Sequence, residues 1–355
     1  IGINLSMLNN RLNLTADWYI RDTKDMLAPG MELPSVLGAS VPEQNVADLR
    51  TKGWEITLGW RDKIGDWGYN VGFNIYDSRT EITKFDNKNY LLGSPMDTDD
   101  SKHTNYVGRK IGELWGYVTD GFYTVDDFED THAWKLKEGV VSVQGLNVKP
   151  GDIKYKNLHD DKNSINQIDV GDNTLDNPGD RQIIGNTQPR YHYGINLGVS
   201  WKTLTLDILL QGVGKRDYYS ASAIFPFGGS EFGGLYEGQL DYWKPVDEAN
   251  GNYTALTPEA RLPRIYDEYE NYSYNSRVQT KYLLDASYLR IKNVTLGYTL
   301  PKTLVEKMRL NALKLYVSVE NLHTFSSLPM GFDPERLSWG YPFYRTISLG
   351  FNLNL

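Results

Sequence analysis

The alternation of apolar and polar residues over Asp285–Pro301 (DASYLRIKNVTLGYTLP) and over the last fifteen residues (YPFYRTISLGFNLNL) restricts the folds open to this chain more than any other feature. In the first stretch Val294, Leu296, Tyr298 and Leu300 alternate with Thr295, Gly297 and Thr299. In the second, Ile347, Leu349, Phe351, Leu353 and Leu355 alternate with Thr346, Ser348, Gly350, Asn352 and Asn354. A period of two with one apolar face is the pattern of a strand. Leu289 and Ile291 stand on the opposite parity to Val294 and Leu296, which predicts a bulge near Lys292 and Asn293. An amphipathic terminal strand either leaves a bare edge or closes onto another strand. Closure, and with it an all-β antiparallel barrel, is the expectation.

The same alternation recurs along the chain. Ile3, Leu5 and Met7 precede a tight reversal at Asn9-Asn10, and Leu12, Leu14, Ala16, Trp18 and Ile20 follow it. A connection rich in Pro and Gly is expected from Asp22 to Leu49. Trp54, Ile56, Leu58 and Trp60, a turn over Lys63 to Asp66, and Trp67, Tyr69, Val71, Phe73 and Ile75 make the next hairpin. Tyr191 to Trp201 and Leu204 to Leu210 make another around Lys202-Thr203, and Leu313 to Val319 returns after a turn over Pro301 to Asn311. Between these strands lie two large, folded loops, at residues 78–189 and 214–281, too long for ordinary connections.

Short and long connections thus take turns, which is the rhythm of an outer-membrane barrel with tight periplasmic turns and long extracellular loops. Its strands of about ten residues suit a tilted crossing. Trp60, Trp67 and Trp201 fall beside short turns, and Tyr191, Tyr341 and Phe343 beside long loops, giving two aromatic girdles against membrane lipid. No run of about 18 apolar residues exists, so a spanning helix is excluded, while a membrane barrel with its polar lumen stays compatible with a mean hydropathy of -0.49. The absence of cysteine rules out disulfides and thiolate chemistry, and a net charge of -8 argues against nucleic acid as a partner. A start at Ile1 and an odd count of about nine strands lead to the expectation that the chain is a fragment of a longer barrel.

With these residues in view, the chain resembles the C-terminal barrel part of a SusC/RagA-type TonB-dependent outer-membrane transporter. The resemblance rests on NNRLNLTADWYIRDTKDML, NVADLRTKGWEITLGW, KIGELWGYVTDGFY, PGDIKYKNL, GDRQIIGNTQPRYHYGINLG, LLQGVGKRDYY, SYLRIKNVTLGYTLP, LKLYVSVENLHTFS and YRTISLGFNLNL, in that order over residues 1–355. It implies a plugged barrel of 22 strands of which these are about the last nine, located in the outer membrane of a Gram-negative bacterium. It also implies active import of oligosaccharides or peptides with a SusD-like lipoprotein, coupled to TonB through the missing N-terminal part. Gly350, Leu353 and Leu355 match the family's assembly signal, although its last residue is usually aromatic.

Two groups of loop residues invite a binding role. In the 157–180 loop, Asp160, Asp161, Asn163, Asp169, Asp172 and Asp176 offer the oxygen ligands a Ca²⁺ ion requires, near the place where related transporters carry a DxNGDGxID-like sequence, but with that spacing broken. The alternative is a solvated acidic loop whose side chains build turns. Tyr266, Tyr269, Tyr272 and Tyr274 would suit contact with the lipoprotein partner or with a sugar ring. No cofactor is required by any motif. The five histidines show no metalloprotease spacing, no GxSxG occurs, and Gly212, Gly214 and Lys215 do not complete a phosphate loop, so no enzymatic activity is expected. Alternatives to an importer are an outer-membrane enzyme or adhesin barrel without energy coupling, and a soluble β-sandwich that binds carbohydrate.

Overall fold

A computed structural model of the chain describes residues 1–29, 43–85, 105–130, 133–160, 165–220, 237–265, 273–329, 331–337, 341 and 343–354. Its main element is one antiparallel sheet of nine strands: β1 (Gly2–Met7), β2 (Leu12–Pro29), β3 (Glu43–Ile64), β4 (Trp67–Phe85), β5 (Arg190–Trp201), β6 (Leu204–Lys215), β7 (Tyr288–Thr299), β8 (Ala312–Ser326) and β9 (Thr346–Asn354). The strands pair in sequence order, each with the next, as in an up-and-down barrel wall. The outer strands β1 and β9 have one neighbour each in this sheet, so the nine form an open sheet and not a closed cylinder.

The register shows what the alternation is for. One row across the sheet reads Met7, Leu12, Trp60, Val71, Leu197, Ile208, Val294, Val319 and Ile347. The adjacent row, pointing to the other face, reads Ser6, Asn13, Gly59, Gly72, Asn196, Leu209, Asn293, Glu320 and Thr346. Because successive residues of a strand point to opposite faces, one face is apolar from edge to edge and the other almost wholly polar. Among the described residues nothing covers the apolar face: Leu349 is 81% exposed, and Leu296 and Phe351 are also open. The described residues hold no second large sheet to cover it, which a sandwich would need. A bare apolar face of this extent belongs against lipid.

The height of that face fits a bilayer. On β4 the outward positions from Trp67 to Ile75 carry no charge, and Asp77 is the first charged one. Ten residues rise ~33 Å along a strand, or ~25 Å vertically at a tilt of ~40°, close to the ~25 Å band of outer-membrane barrels. The expected bulge is present, with the β7–β8 register shifting between Ile291 and Asn293.

Two expectations need correction. The connection at residues 22–49 is largely strand, since β2 and β3 stay paired out to Pro29 and Glu43, through a bulge where Asp25 takes a φ of 55°. Likewise β4 runs to Phe85, so the first large loop starts later than residue 78. In both places the chain extends above the apolar band, where neither face meets lipid and the alternation fades.

Candidate functional site

Above the sheet, at the end with the long connections, the two large loops share a core of their own. Its fully buried members include Tyr117, Tyr123, Ile153 and Tyr155 from the first loop and Tyr274 and Tyr282 from the second. Tyr155 stacks on Tyr117 at 4.9 Å and meets Tyr274 edge-on at 5.0 Å. The guanidinium of Arg277 lies over the rings of Tyr117 and Tyr274 at 5.4 and 5.2 Å. The phenols are tied to backbone: Tyr155 Oη donates to the Tyr274 carbonyl and Tyr274 Oη to the Ile153 carbonyl, both at 2.9 Å. Burial pushes the ionisation of both phenols far up, so they remain donors.

A buried carboxylate joins the loops a second time. Asp152, with no exposed surface, accepts hydrogen bonds from Lys149 N at 2.8 Å, Arg264 Nε at 3.0 Å and Asn275 Nδ2 at 3.2 Å. Burial raises its pKa despite the guanidinium beside it. The third long connection is held to the polar face of the sheet by Arg290, which is 2% exposed. Its Nη2 donates to Asp333 at 2.7 Å and its Nη1 lies 3.2 Å from Glu335, which Lys292 also meets at 2.9 Å. The described parts of the three loops thus form a vestibule at the loop end of the polar face.

The residues singled out from sequence fall as follows. Tyr274, expected at a partner surface, is instead a core residue at 2% exposure, held there by ring packing and its hydrogen bond. Tyr266, Tyr269 and Tyr272 lie outside the described residues, as do Asp161, Asn163 and Leu355. Asp160 accepts from Asn166 N at 2.7 Å and Asn157 Nδ2 at 2.6 Å, which holds its pKa below the usual carboxylate value. Asp169 accepts from Gly171 N at 2.7 Å, and Asp172 from Asn177 Nδ2 at 3.2 Å. Asp176 belongs to the same turn region and makes no hydrogen bond among the described residues. Asp160, Asp169 and Asp172 build turns, and among the described residues no three acidic or imidazole groups converge as a metal site.

The residue that organises this loop is the last of its carboxylates. Asp180 is fully buried and accepts from Leu158 N at 2.6 Å, His159 N at 3.2 Å and Asp169 N at 2.9 Å. Gly171 and Gly179, both at positive φ, pack so closely that a Cβ on Gly179 would stand 2.5 Å from Gly171 N. Burial raises the Asp180 pKa, with the Asp169 charge adding to it, against the three N–H groups. A folded pKa raised above the unfolded value of 3.8 means that this group's stabilisation is complete below that value and is lost as pH rises through the folded one. Protection of the 157–181 amides against hydrogen exchange, corrected for intrinsic rates, should therefore increase from pH 7 to pH 4.5, and Asp180→Asn should flatten that increase.

Among the aromatics at the sheet's ends, Trp67 and Trp201 are paired in register and stacked at 5.6 Å at the short-turn end, both exposed. Trp60 sits further inside the apolar face, in the row of Val71 and Leu197. At the loop end, Tyr191 takes a φ of 55° under the Arg190 guanidinium, and Tyr341 is 78% exposed. Phe343 lies beside Arg290 and Lys292, at 5.4 and 5.0 Å, with the ion pairs of the third connection. Trp18 and Trp54, paired across β2 and β3 just below the first charges of the outward face, are the further aromatics at this level. Gly350 and Leu353 are in register with Tyr316 and Leu313 on β9 and β8.

A lipid-facing antiparallel wall with polar inner face and a folded vestibule at one end defines the class: a β-barrel membrane protein of the outer-membrane type. Comparison with known proteins narrows it. Residues 1–136 match the model of the family described as TonB dependent receptor-like, beta-barrel. TonB-dependent receptor P3 of Formosa agariphila is 26% identical over 99% of this chain, and TonB-dependent receptor SusC of Bacteroides thetaiotaomicron is 22% identical over 99%. The solved structure of the RagAB peptide transporter superposes on the whole chain with a TM-score of 0.68 at 22% identity, a likeness of fold. The chain spans about a third of the length of each of these proteins. Over its first 136 residues the chain is thus similar to the TonB-dependent receptor barrel, and over nearly its whole length to a part of the receptors named above.

Proposed function

We propose that this chain forms part of the wall and the outer vestibule of an active importer in the outer membrane of a Gram-negative bacterium. It takes up oligosaccharides or peptides with a SusD-like surface lipoprotein, and TonB supplies the energy through parts of the receptor outside this chain. The observation that carries the reading is the polar inner face beneath a vestibule in which both large loops share one core. Such a vestibule gives a lid-like partner a fixed rim to seat on and a substrate a polar path down the sheet. The relatives named as TonB-dependent receptors, and the neighbour named as a peptide transporter, support the reading.

The test is uptake of fluorescent oligosaccharide and peptide libraries by cells carrying the full-length receptor, with and without its TonB-contacting segment, and affinity capture of its partners. Energy-dependent uptake together with capture of a surface lipoprotein supports the proposal. Binding without uptake favours an adhesin barrel, and product release at the surface favours an enzyme.

The acidic loop is proposed to fold without a metal ion, since Asp160, Asp169 and Asp180 are engaged by its own N–H groups. Chelation of divalent cations from the purified receptor should leave protease resistance at residues 157–181 unchanged. A loss restored by Ca²⁺ would place an ion there.

A further inference from the structure

The outward face changes character abruptly at the loop end. Along β3 its residues run Leu58, Ile56, Trp54 and then Lys52 and Arg50, and along β4 Phe73, Ile75 and then Asp77, Arg79 and Glu81. A cleft of 290 Å³ opens at this boundary, walled below by Trp18 and Trp54 and above by Arg50, Lys52, Arg79 and Lys110, with Arg190 at its side. Arg50 is held by Asp22 through hydrogen bonds of 2.7 and 3.0 Å, and Arg190 by both oxygens of Asp77. Lys52, Arg79 and Lys110 form no hydrogen bond or ion pair with a carboxylate among the described residues. Five cations thus face three carboxylates, Asp22, Asp77 and Glu81, in a chain whose net charge is -8.

We infer that this cleft binds the anionic phosphate headgroup of a single outer-leaflet lipid, whose acyl chains lie on the apolar face between β2 and β4. This rests on the reading of that face as lipid-facing with the long loops outermost. Interfacial Lys and Arg ordinarily snorkel singly toward water. Here they come from two neighbouring strands and two loop-end segments and converge on one concavity, with the Asp22 and Asp77 pairs fixing two of the guanidinium groups in place. Guanidinium and ammonium groups together suit the non-bridging oxygens of a phosphate, and do so more strongly at the edge of a low-dielectric layer than in water. The position separates a lipid from a free anion. The cleft's lower wall is Trp18, 47% exposed, and the apolar face continues directly beneath it, so a bound phosphate with attached chains buries surface that inorganic phosphate would leave bare.

The experiment is native mass spectrometry of the full-length receptor, delipidated in detergent and titrated separately with diphosphorylated lipid A, phosphatidylglycerol and phosphatidylcholine, with inorganic phosphate as competitor. One anionic lipid should be retained per receptor, with at least tenfold preference for phosphatidylglycerol or lipid A over phosphatidylcholine, whose phosphate is neutralised by its own choline ammonium. Lys52→Glu/Arg79→Glu should abolish that preference, while Lys63→Glu at the short-turn end should preserve it. Heat-modifiable gel migration of each variant confirms that its barrel has formed. Equal retention by the double variant, equal retention of the neutral lipid, or full displacement by millimolar phosphate would each overturn the inference. A receptor that stays monodisperse without detergent would sink the membrane reading itself, which separates the two failures.

Discussion

Replacing Tyr274 by Ala should unfold the outer loop unit and leave the nine-stranded sheet in place. The ring is 2% exposed, is packed edge-on against Tyr155 and lies under the Arg277 guanidinium, so its removal opens a cavity between the two loops. Truncating a buried aromatic costs about 3–5 kcal/mol, a large share of the ~5–15 kcal/mol that holds a domain together. The Ile153 carbonyl also loses the phenol that donates to it. Tyr274→Phe keeps the ring and forfeits only that bond, at about 1 kcal/mol. The measurement is limited proteolysis of the full-length receptor in detergent, with fragments mapped by mass and the barrel followed by heat-modifiable migration. The Ala variant should be cut rapidly within residues 105–187 and 237–285 while its barrel still resists heat, and the Phe variant should resemble the wild type. Cutting confined to the second loop would show that the two loops fold independently.

The contrast between sheet and vestibule explains how much of the structure was legible in the sequence. Lipid on one side and water on the other impose a period of two on every residue within the band, so the hairpins around Asn9-Asn10, Lys63–Asp66 and Lys202-Thr203, and even the bulge beside Lys292, could be read directly. Above the band both faces of a strand meet water or loops. The pairing of β2 with β3 beyond Asp22 therefore carries no such signal, and the positive φ at Asp25 breaks what alternation remains. The vestibule core is assembled from contacts more than 100 residues apart, such as Tyr155 with Tyr274, and no local pattern reports them.

Tyr274 was misplaced for that reason: tyrosine suits an interface and a core equally, and only distant partners decide between them. Asp180 was legible only as one more carboxylate of the acidic loop, because its role, accepting three backbone N–H groups, depends on a loop closing on itself. The cationic cleft did leave a trace. The parity that gives Leu58, Ile56 and Trp54 continues as Lys52 and Arg50, and a strand whose outward side turns from apolar to basic at one height marks a membrane boundary.

The second large effect is expected in the middle of the apolar face. Leu197 lies in the row that runs from Met7 to Ile347 and is flanked by Val71 and Ile208, roughly four residues of strand from the Trp67–Trp201 rim and six from Asp77. A cationic side chain there has no protein group to pair with on its own face, and lies too deep to reach either boundary without thinning the bilayer. Leu197→Arg should therefore cost about 2–4 kcal/mol of barrel stability. Asn196→Arg, one residue away, points to the polar face beside Gly72 and Leu209, where a guanidinium stays hydrated, and should change stability by no more than ~0.5 kcal/mol. The check is denaturant unfolding of the full-length receptor reconstituted in phospholipid vesicles, with both variants measured beside the wild type. The pair decides which face meets lipid: a stable Leu197→Arg together with a destabilised Asn196→Arg would invert the sheet, whereas the expected order fixes the outward face on which the cleft, the girdle tryptophans and the lipid all depend.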